Sequence, residues 1–155
     1  MFISFEGTEG VGKTTLIRKM FEHFQANGRE VVLTREPGGT PMAEQIRSIL
    51  LSVNHEENMS HDTELLLMYA ARAQHLQQVI IPAVAAGKIV LCDRFSDSSF
   101  AYQCAGRGLS RDKLKLLNDH FVEKMPDISF WLDAPIELGM TRARERGALD
   151  RFEQE

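Results

Sequence analysis

An α/β fold, with a parallel β-sheet covered by helices on both faces, is what the 155-residue sequence predicts. Three observations lead there. Short apolar runs alternate with segments of helical period along the whole chain. The apolar runs are continuous rather than alternating with polar residues, as in strands buried on two sides. The first of them enters a glycine-rich turn that opens a helix, an arrangement suited to holding phosphate.

The elements follow in order. Phe2 to Glu6 is the first strand. From Gly12 a helix places Leu16, Met20, Phe21 and Phe24 on one face, and Asn27-Gly28 stops it. Val31 to Thr34 reads as a second, buried strand. Gly38-Gly39 turns the chain, Thr40 caps and Pro41 opens a helix carrying Ile46, Ile49 and Leu50. Residues 52–61 read as a loop. Asp62 is placed as the cap of a long helix through Leu65, Leu66, Tyr69 and Val79, which Pro82 should kink or divide. Ile89 to Leu91 is a third strand ending at Asp93-Arg94. Ser110 caps a helix with Leu114, Leu117 and Phe121, Ile128 to Asp133 is a fourth strand, and Pro135 opens a helix ending at Gly147.

Composition narrows the function. A formal net charge of −4, with both signs spread along the chain, argues against general nucleic-acid binding. No apolar run approaches a membrane span, and the N-terminus lacks the basic start of a signal peptide. Cys92 and Cys104 read as reduced thiols of a cytoplasmic protein. The histidines show no zinc-type spacing. One domain, residues 1–155, is expected.

Gly7-Thr8-Glu9-Gly10-Val11-Gly12-Lys13-Thr14 fits the phosphate-loop pattern GxxxxGK[ST]. Its backbone N–H groups would wrap an anion, with Thr15 in the helix turn that follows. Lys13 would bridge the β- and γ-phosphates of a nucleoside triphosphate, and Thr14 would ligate Mg²⁺. Asp93, at the end of the third strand, suits the same metal through water, and Glu6 is placed to support the loop or the metal shell. Arg94 points its planar fork over the sheet end, where a phosphoryl group would be shared between donor and acceptor. No guanine-reading NKxD motif occurs, which sets aside a GTPase switch.

Beyond the loop, the blocks Thr34-Arg35-Glu36-Pro37-Gly38-Gly39-Thr40, Tyr69-Ala70-Ala71-Arg72, Asp93-Arg94-Phe95 and Ser98-Ser99 leading to Ala101-Tyr102-Gln103 stand in one order. With them the chain resembles the bacterial thymidylate kinases along essentially its whole length. That resemblance implies the P-loop nucleoside monophosphate kinase fold and transfer of a phosphoryl group from Mg-ATP to dTMP, giving dTDP for dTTP synthesis. It also implies a homodimer. The alternatives are a kinase for another pyrimidine monophosphate, or a catalytically impaired nucleotide-binding fragment.

The same resemblance carries roles onto residues. Glu9 would meet the sugar 3′-hydroxyl of dTMP, and Arg35, Arg47 and Arg94 its phosphate and the moving group. Arg72 and Ser99 would read the thymine edge, with Ser98 beside them, and Pro37 would lie near the base methyl. Tyr102 would fill the space of a ribose 2′-hydroxyl, and Gln103 would support the sugar. Either Met68 or Tyr69 would pack on the thymine ring. Phe95 stands where Tyr or His is usual in such relatives.

Arg142, Arg144, Arg146 and Arg151 crowd one stretch. The phosphate loop has no arginine of its own, and in the family a lid then supplies one. The resemblance implies a lid at about 142–152, with Arg146 as the catalytic arginine and Arg142 on the ATP phosphates. The family's sequences continue past the position of Glu155, so the resemblance implies that the last strand and helices are missing here.

Overall fold

In the computed structural model, residues 1–53, 57–146 and 151 are described. Four strands form one parallel sheet: β1 (Phe2–Glu6), β2 (Val31–Arg35), β3 (Ile89–Asp93) and β4 (Ile128–Trp131), in the spatial order β2-β3-β1-β4. Helices connect them: α1 (Lys13–Ala26), α2 (Pro41–Leu51), α3 (His61–His75), α4 (Ile81–Ala85), α5 (Ser96–Ser99), α6 (Arg111–Phe121) and α7 (Ile136–Arg146).

The two-residue period of a strand divides the core between the two faces of the sheet. Phe2, Val90 and Cys92 face Leu76, Ile80 and Ala83, from the α3–α4 stretch, and Phe95. Ile3, Phe5, Ile89 and Leu91 face Ile17 of α1, with Leu16, Met20, Phe21 and Phe24 packed around them. Helices therefore cover both faces, and all four helical positions read from the sequence point the expected way. At α2, Thr40 Oγ1 accepts from the Ala43 N–H at 3.1 Å, with Pro41 opening the helix.

Several expectations need correction. β2 is a half-exposed edge strand rather than a buried one, with Leu33 46% exposed, because α1 reaches only part of its face. Ser60, not Asp62, caps α3: its Oγ accepts from Thr63 N at 3.1 Å, while Asp62 pairs with Lys113. Pro82 does not divide the long helix. The helical path runs on from His61 to Ala85 through a wider π turn, Leu76–Ile80, just before the proline. Such a turn absorbs the hydrogen bond that proline cannot donate. A helical stretch absent from the sequence reading follows β3: α5 runs into a π turn, Phe100–Gly106. Ile49, Leu66 and Phe121 point to solvent, and β4 ends at Trp131, short of Asp133. β4 is the other edge, exposed along its length, with Trp131 76% exposed. Among the described residues no helix is long and apolar enough to cross a membrane.

Candidate active site

The carboxyl ends of β1, β2 and β3 converge on a cavity of about 440 Å³. The phosphate loop forms one wall. At Gly7 and Gly10, both at positive φ, a Cβ would lie 2.4 Å from Leu132 O and 2.2 Å from Gly139 O. Only glycine lets the loop pass this close to neighbouring backbone. Gly139, which the sequence reading did not single out, seats α7 on the loop: its own Cβ would fall 2.6 Å from Glu9 O. Lys13 is buried and donates to the carbonyls of Gly7 (2.9 Å) and Thr8 (2.8 Å), curling over the loop it serves. Burial pushes its ammonium pKa down and neighbouring Arg94 adds to this, against the pull of Glu9, Asp93 and Glu6.

Opposite Lys13 stands a set of charges from the end of β3. Arg94 adopts φ 68, a left-handed conformation unusual for a side chain of its size. Its amide donates to Phe5 O at 2.9 Å, and its guanidinium reaches the Glu9 carboxylate, Ser98 Oγ at 3.3 Å and the face of Tyr102 at 5.2 Å. Strained backbone of this kind concentrates at functional sites. Asp93 Oδ1 is buried with no hydrogen-bond partner among the described residues, and burial raises its carboxyl pKa, with Lys13 and Arg94 opposing. Glu6 accepts from Ser98 Oγ at 2.6 Å on one oxygen, has no partner on the other among the described residues, and its carboxyl pKa is likewise raised by burial.

The far end of the cavity is built on α3. Met68 lies on its wall, whereas Tyr69 is turned into the core, where its hydroxyl donates to Asn118 Oδ1 at 2.8 Å. Of the two candidates for a stacking residue, only Met68 therefore faces the cavity. Arg72 is fully buried behind the wall. Its Nε donates to Glu36 Oε2 at 2.7 Å and its Nη2 to Ser99 Oγ at 3.0 Å, while Nη1 has no partner among the described residues. Tyr69 and Phe95 flank the guanidinium at 4.8 and 5.1 Å. Glu36 also faces His75 Nδ1 at 3.1 Å, and His75 Nε2 reaches Thr34 Oγ1 at 2.5 Å. Gln103 lines the cavity, and its buried Oε1 has no partner among the described residues.

The remaining predicted residues group as follows. Thr14, Thr15, Arg35, Pro37, Arg47 and Arg142 line the same cavity. Arg35 pairs with Glu44 at 2.8 Å, Arg47 donates to Pro37 O at 2.8 Å, and Arg142 donates to Gly10 O at 3.1 Å. Gly7 and Thr8 face a neighbouring hollow behind the loop, and Val11 lines neither. Arg72 and Ser99 stand behind the wall rather than on it. Arg146 closes α7, but its side chain and that of Arg144 lie outside the described residues, as do 147–150 and 152 of the expected lid. Arg151 lies away from the phosphate loop, against Leu50 and Glu64.

Leu51 on the cavity wall, Gly139 against the loop, and Glu36 and Glu64 beside Arg72 and Gln103 escaped sequence reading. Glu36 sits inside the quoted TREPGGT block but drew no role of its own. Glu64 has a legible signal: Glu64, Met68, Arg72 and His75 recur at helical spacing and share one buried stripe of α3.

Relatives extend these observations. The sequence pattern of the family described as thymidylate kinase matches residues 5–155. A thymidylate kinase of Acinetobacter baumannii is 79% identical over the whole chain, which spans 78% of that protein, and one of Acinetobacter baylyi is 80% identical. The crystal structure of a thymidylate kinase from Ehrlichia chaffeensis superposes with a TM-score of 0.77 at 40% identity, covering 94% of this chain and 77% of that one. The sheet and its helices accordingly have the P-loop nucleoside monophosphate kinase architecture. By sequence over its full length, and by structure over nearly all of it, the chain belongs to the thymidylate kinase family.

Proposed function

We propose that this enzyme transfers the γ-phosphoryl group of ATP to dTMP, releasing ADP and dTDP for nucleotide synthesis. One observation carries the reading: a single cavity joins the phosphate loop, at Lys13, to Gln103 on its wall and Arg72 just behind it, each with a buried polar atom that has no partner among the described residues. A triphosphate cradle in one cavity with Met68, Pro37 and Gln103 suits phosphoryl transfer between two nucleotides. Full-length relatedness to thymidylate kinases names the acceptor.

An oxygen of the dTMP phosphate attacks the γ-phosphorus in line while the bond to the β-bridging oxygen breaks. The attacking group is already an anion, so no protein nucleophile is needed. The protein contributes alignment, charge and exclusion of water. Lys13 and the loop amides hold the β- and γ-phosphates. Arg94, steadied by Glu9, Ser98 and Tyr102, spans the moving phosphoryl group, and Glu9 is shared with the acceptor sugar. Arg35 and Arg47 take the acceptor phosphate. Arg72 and Ser99 read the base from behind the wall, Met68 and Pro37 flank it, and Tyr102 closes the 2′ side.

Mg²⁺ fits the donors present. Asp93 Oδ1, without a partner among the described residues, and the hydroxyl of Thr14 are hard oxygen groups beside the loop, with Glu6 behind them. Magnesium takes one or two protein oxygens and completes its shell with phosphate and water, where it would offset charge on the triphosphate. A lid at 142–152, with Arg146 as the catalytic arginine and Arg142 on the phosphates, follows from the family resemblance and from a loop without arginine. The same resemblance supports one kinase domain over 1–155 and a homodimer acting in the cytoplasm.

A coupled assay for ADP with dTMP, with UMP and with no acceptor tests this. Turnover should require dTMP. Equal turnover with UMP, or ATP hydrolysis at the same rate without acceptor, would overturn the assignment.

A further inference from the structure

The phosphate loop and α7 cross with almost no space between their backbones. A Cβ on Gly10 would lie 2.9 Å from Gly139 Cα and closer still to its carbonyl oxygen, and one on Gly139 would lie 2.6 Å from Glu9 O. Non-bonded heavy atoms settle at about 3.5–4.0 Å, so a side chain at either position forces the two backbones apart. Gly10 needs to be glycine on a second ground, its φ of 72. Gly139 has no such need. It lies inside α7, where alanine forms helix far better than glycine does. Helix propensity thus favours a side chain at 139, and only the crossing opposes one.

The crossing sets where a cation stands. Three residues on, on the same face of α7, Arg142 Nη1 donates to Gly10 O at 3.1 Å. Arg142 lines the main cavity with Gly12, Lys13 and Thr15, and a shallower hollow beside it with Thr15 and Lys19. Of the two crossing segments α7 is the freer. Ile136 and Leu138 in its first turn are 71% and 43% exposed. The loop is tied through the Glu9 carboxylate to Arg94 and through the Gly7 and Thr8 carbonyls to Lys13. A Cβ at 139 therefore lifts the helix and leaves the loop where it is.

We propose that Gly139 is a positioning residue for the donor nucleotide, letting α7 sit at the depth from which Arg142 crosses Gly10 into the cavity. This rests on the loop holding the donor triphosphate. A glycine that helix propensity disfavours is kept where it brings a cation to the loop.

The test is calorimetric titration with a non-hydrolysable ATP analogue and Mg²⁺, and separately with dTMP. It compares the parent, Gly139→Ala, Arg142→Gln and the double variant, beside steady-state kinetics with each substrate varied in turn. Losing one charge-assisted hydrogen bond corresponds to about tenfold in binding. Gly139→Ala should raise the Kd for the analogue and the KM for ATP about tenfold, with the Kd for dTMP unchanged. Arg142→Gln should do the same, and the double variant should be no weaker than either single one, because both remove the same contact. Unchanged ATP constants in Gly139→Ala would overturn the proposal. Equal losses for both nucleotides would mean that the loop had moved rather than α7, with the same result. Additive losses in the double variant would separate Gly139 from Arg142 and also overturn it. A Gly139→Ala chain that does not fold would make the crossing structural only, and the proposal would fall. A parent that does not bind the analogue would strike the phosphate-loop reading instead. A parent that binds it without phosphorylating dTMP would strike the acceptor assignment, and the titrations would still decide the role of Gly139.

Discussion

Arg72→Met tests how the acceptor end of the site is held. The change keeps an unbranched apolar stem and removes the guanidinium. Arg72 and Glu36 are both buried, with side chains 1% and 3% exposed, and they meet at 2.7 Å. Burial alone would lower the Arg72 pKa, yet Glu36 and Tyr69 hold it above its ordinary value. Removing one partner of such a pair leaves an uncompensated charge, at a cost of about 3–5 kcal/mol. His75, still 3.1 Å from Glu36, offsets part of it, while the lost contacts with the Tyr69 and Phe95 rings add about 1 kcal/mol. A fall of roughly 6–20 °C in melting temperature follows for a chain of this size. Urea unfolding should show the midpoint shift with an unchanged slope. The double variant Arg72→Met/Glu36→Gln, which removes both charges, should recover at least half of the loss. A single variant within about 1 kcal/mol of the parent, or a double variant as weak as the single, would refute the buried-pair argument.

Lys13→Ala should leave a folded protein whose turnover drops by at least ~100-fold, because the loop backbone keeps its shape while the phosphates lose their cation. Tyr102→Ala should narrow the preference for dTMP over UMP; a variant that rejects UMP as firmly as the parent would end the steric role. Asp93→Asn should abolish activity yet raise stability at pH 7. The folded-state pKa of Asp93 is raised, so its ionisation weakens the fold as pH climbs through that value, and asparagine cannot ionise. Relief of about 1 kcal/mol would lift the melting temperature by roughly 2–4 °C, read by differential scanning calorimetry. Arg146→Ala should lower the turnover number far more than it changes dTMP affinity; a loss confined to KM would make it a binding residue.

The donor side of the site was legible in the sequence because its demands are local. Gly7, Gly10 and Gly12 each occupy a positive φ, and Lys13 and Thr14 follow within two residues, so one short string records the whole cradle. The strand before it and the helix after it were visible for the same reason. The edge position of β2 was not, because strand order is a long-range property. Val31 to Thr34 has the composition of a buried strand and lies at the rim only because β3 pairs on one side of it and nothing pairs on the other among the described residues. The two π turns left no trace either, since a wider turn uses the same residue types as the helix it interrupts.

The resemblance named residues of the acceptor side, but the buried charges that support them were hidden by a rule of reading that α3 reverses. Polar positions on a helix are ordinarily assigned to solvent and apolar ones to the core. Here Glu64, Arg72 and His75 are buried while Leu66 is exposed. Each buried charge meets a partner distant in sequence: Glu36 for Arg72, Arg151 for Glu64. Buried ion pairs are seldom better for stability than apolar residues of the same volume. A helix packed among its neighbours could be as stable with leucines along that stripe, so stability alone does not account for it. What the stripe does supply is fixed orientation. Arg72 has two of its nitrogens committed and Gln103 its amide NH₂, and each keeps one buried polar atom without a partner among the described residues. A recess whose donors and acceptors cannot rotate discriminates between ligands that offer the opposite pattern, and rejects them by leaving buried groups unpaired.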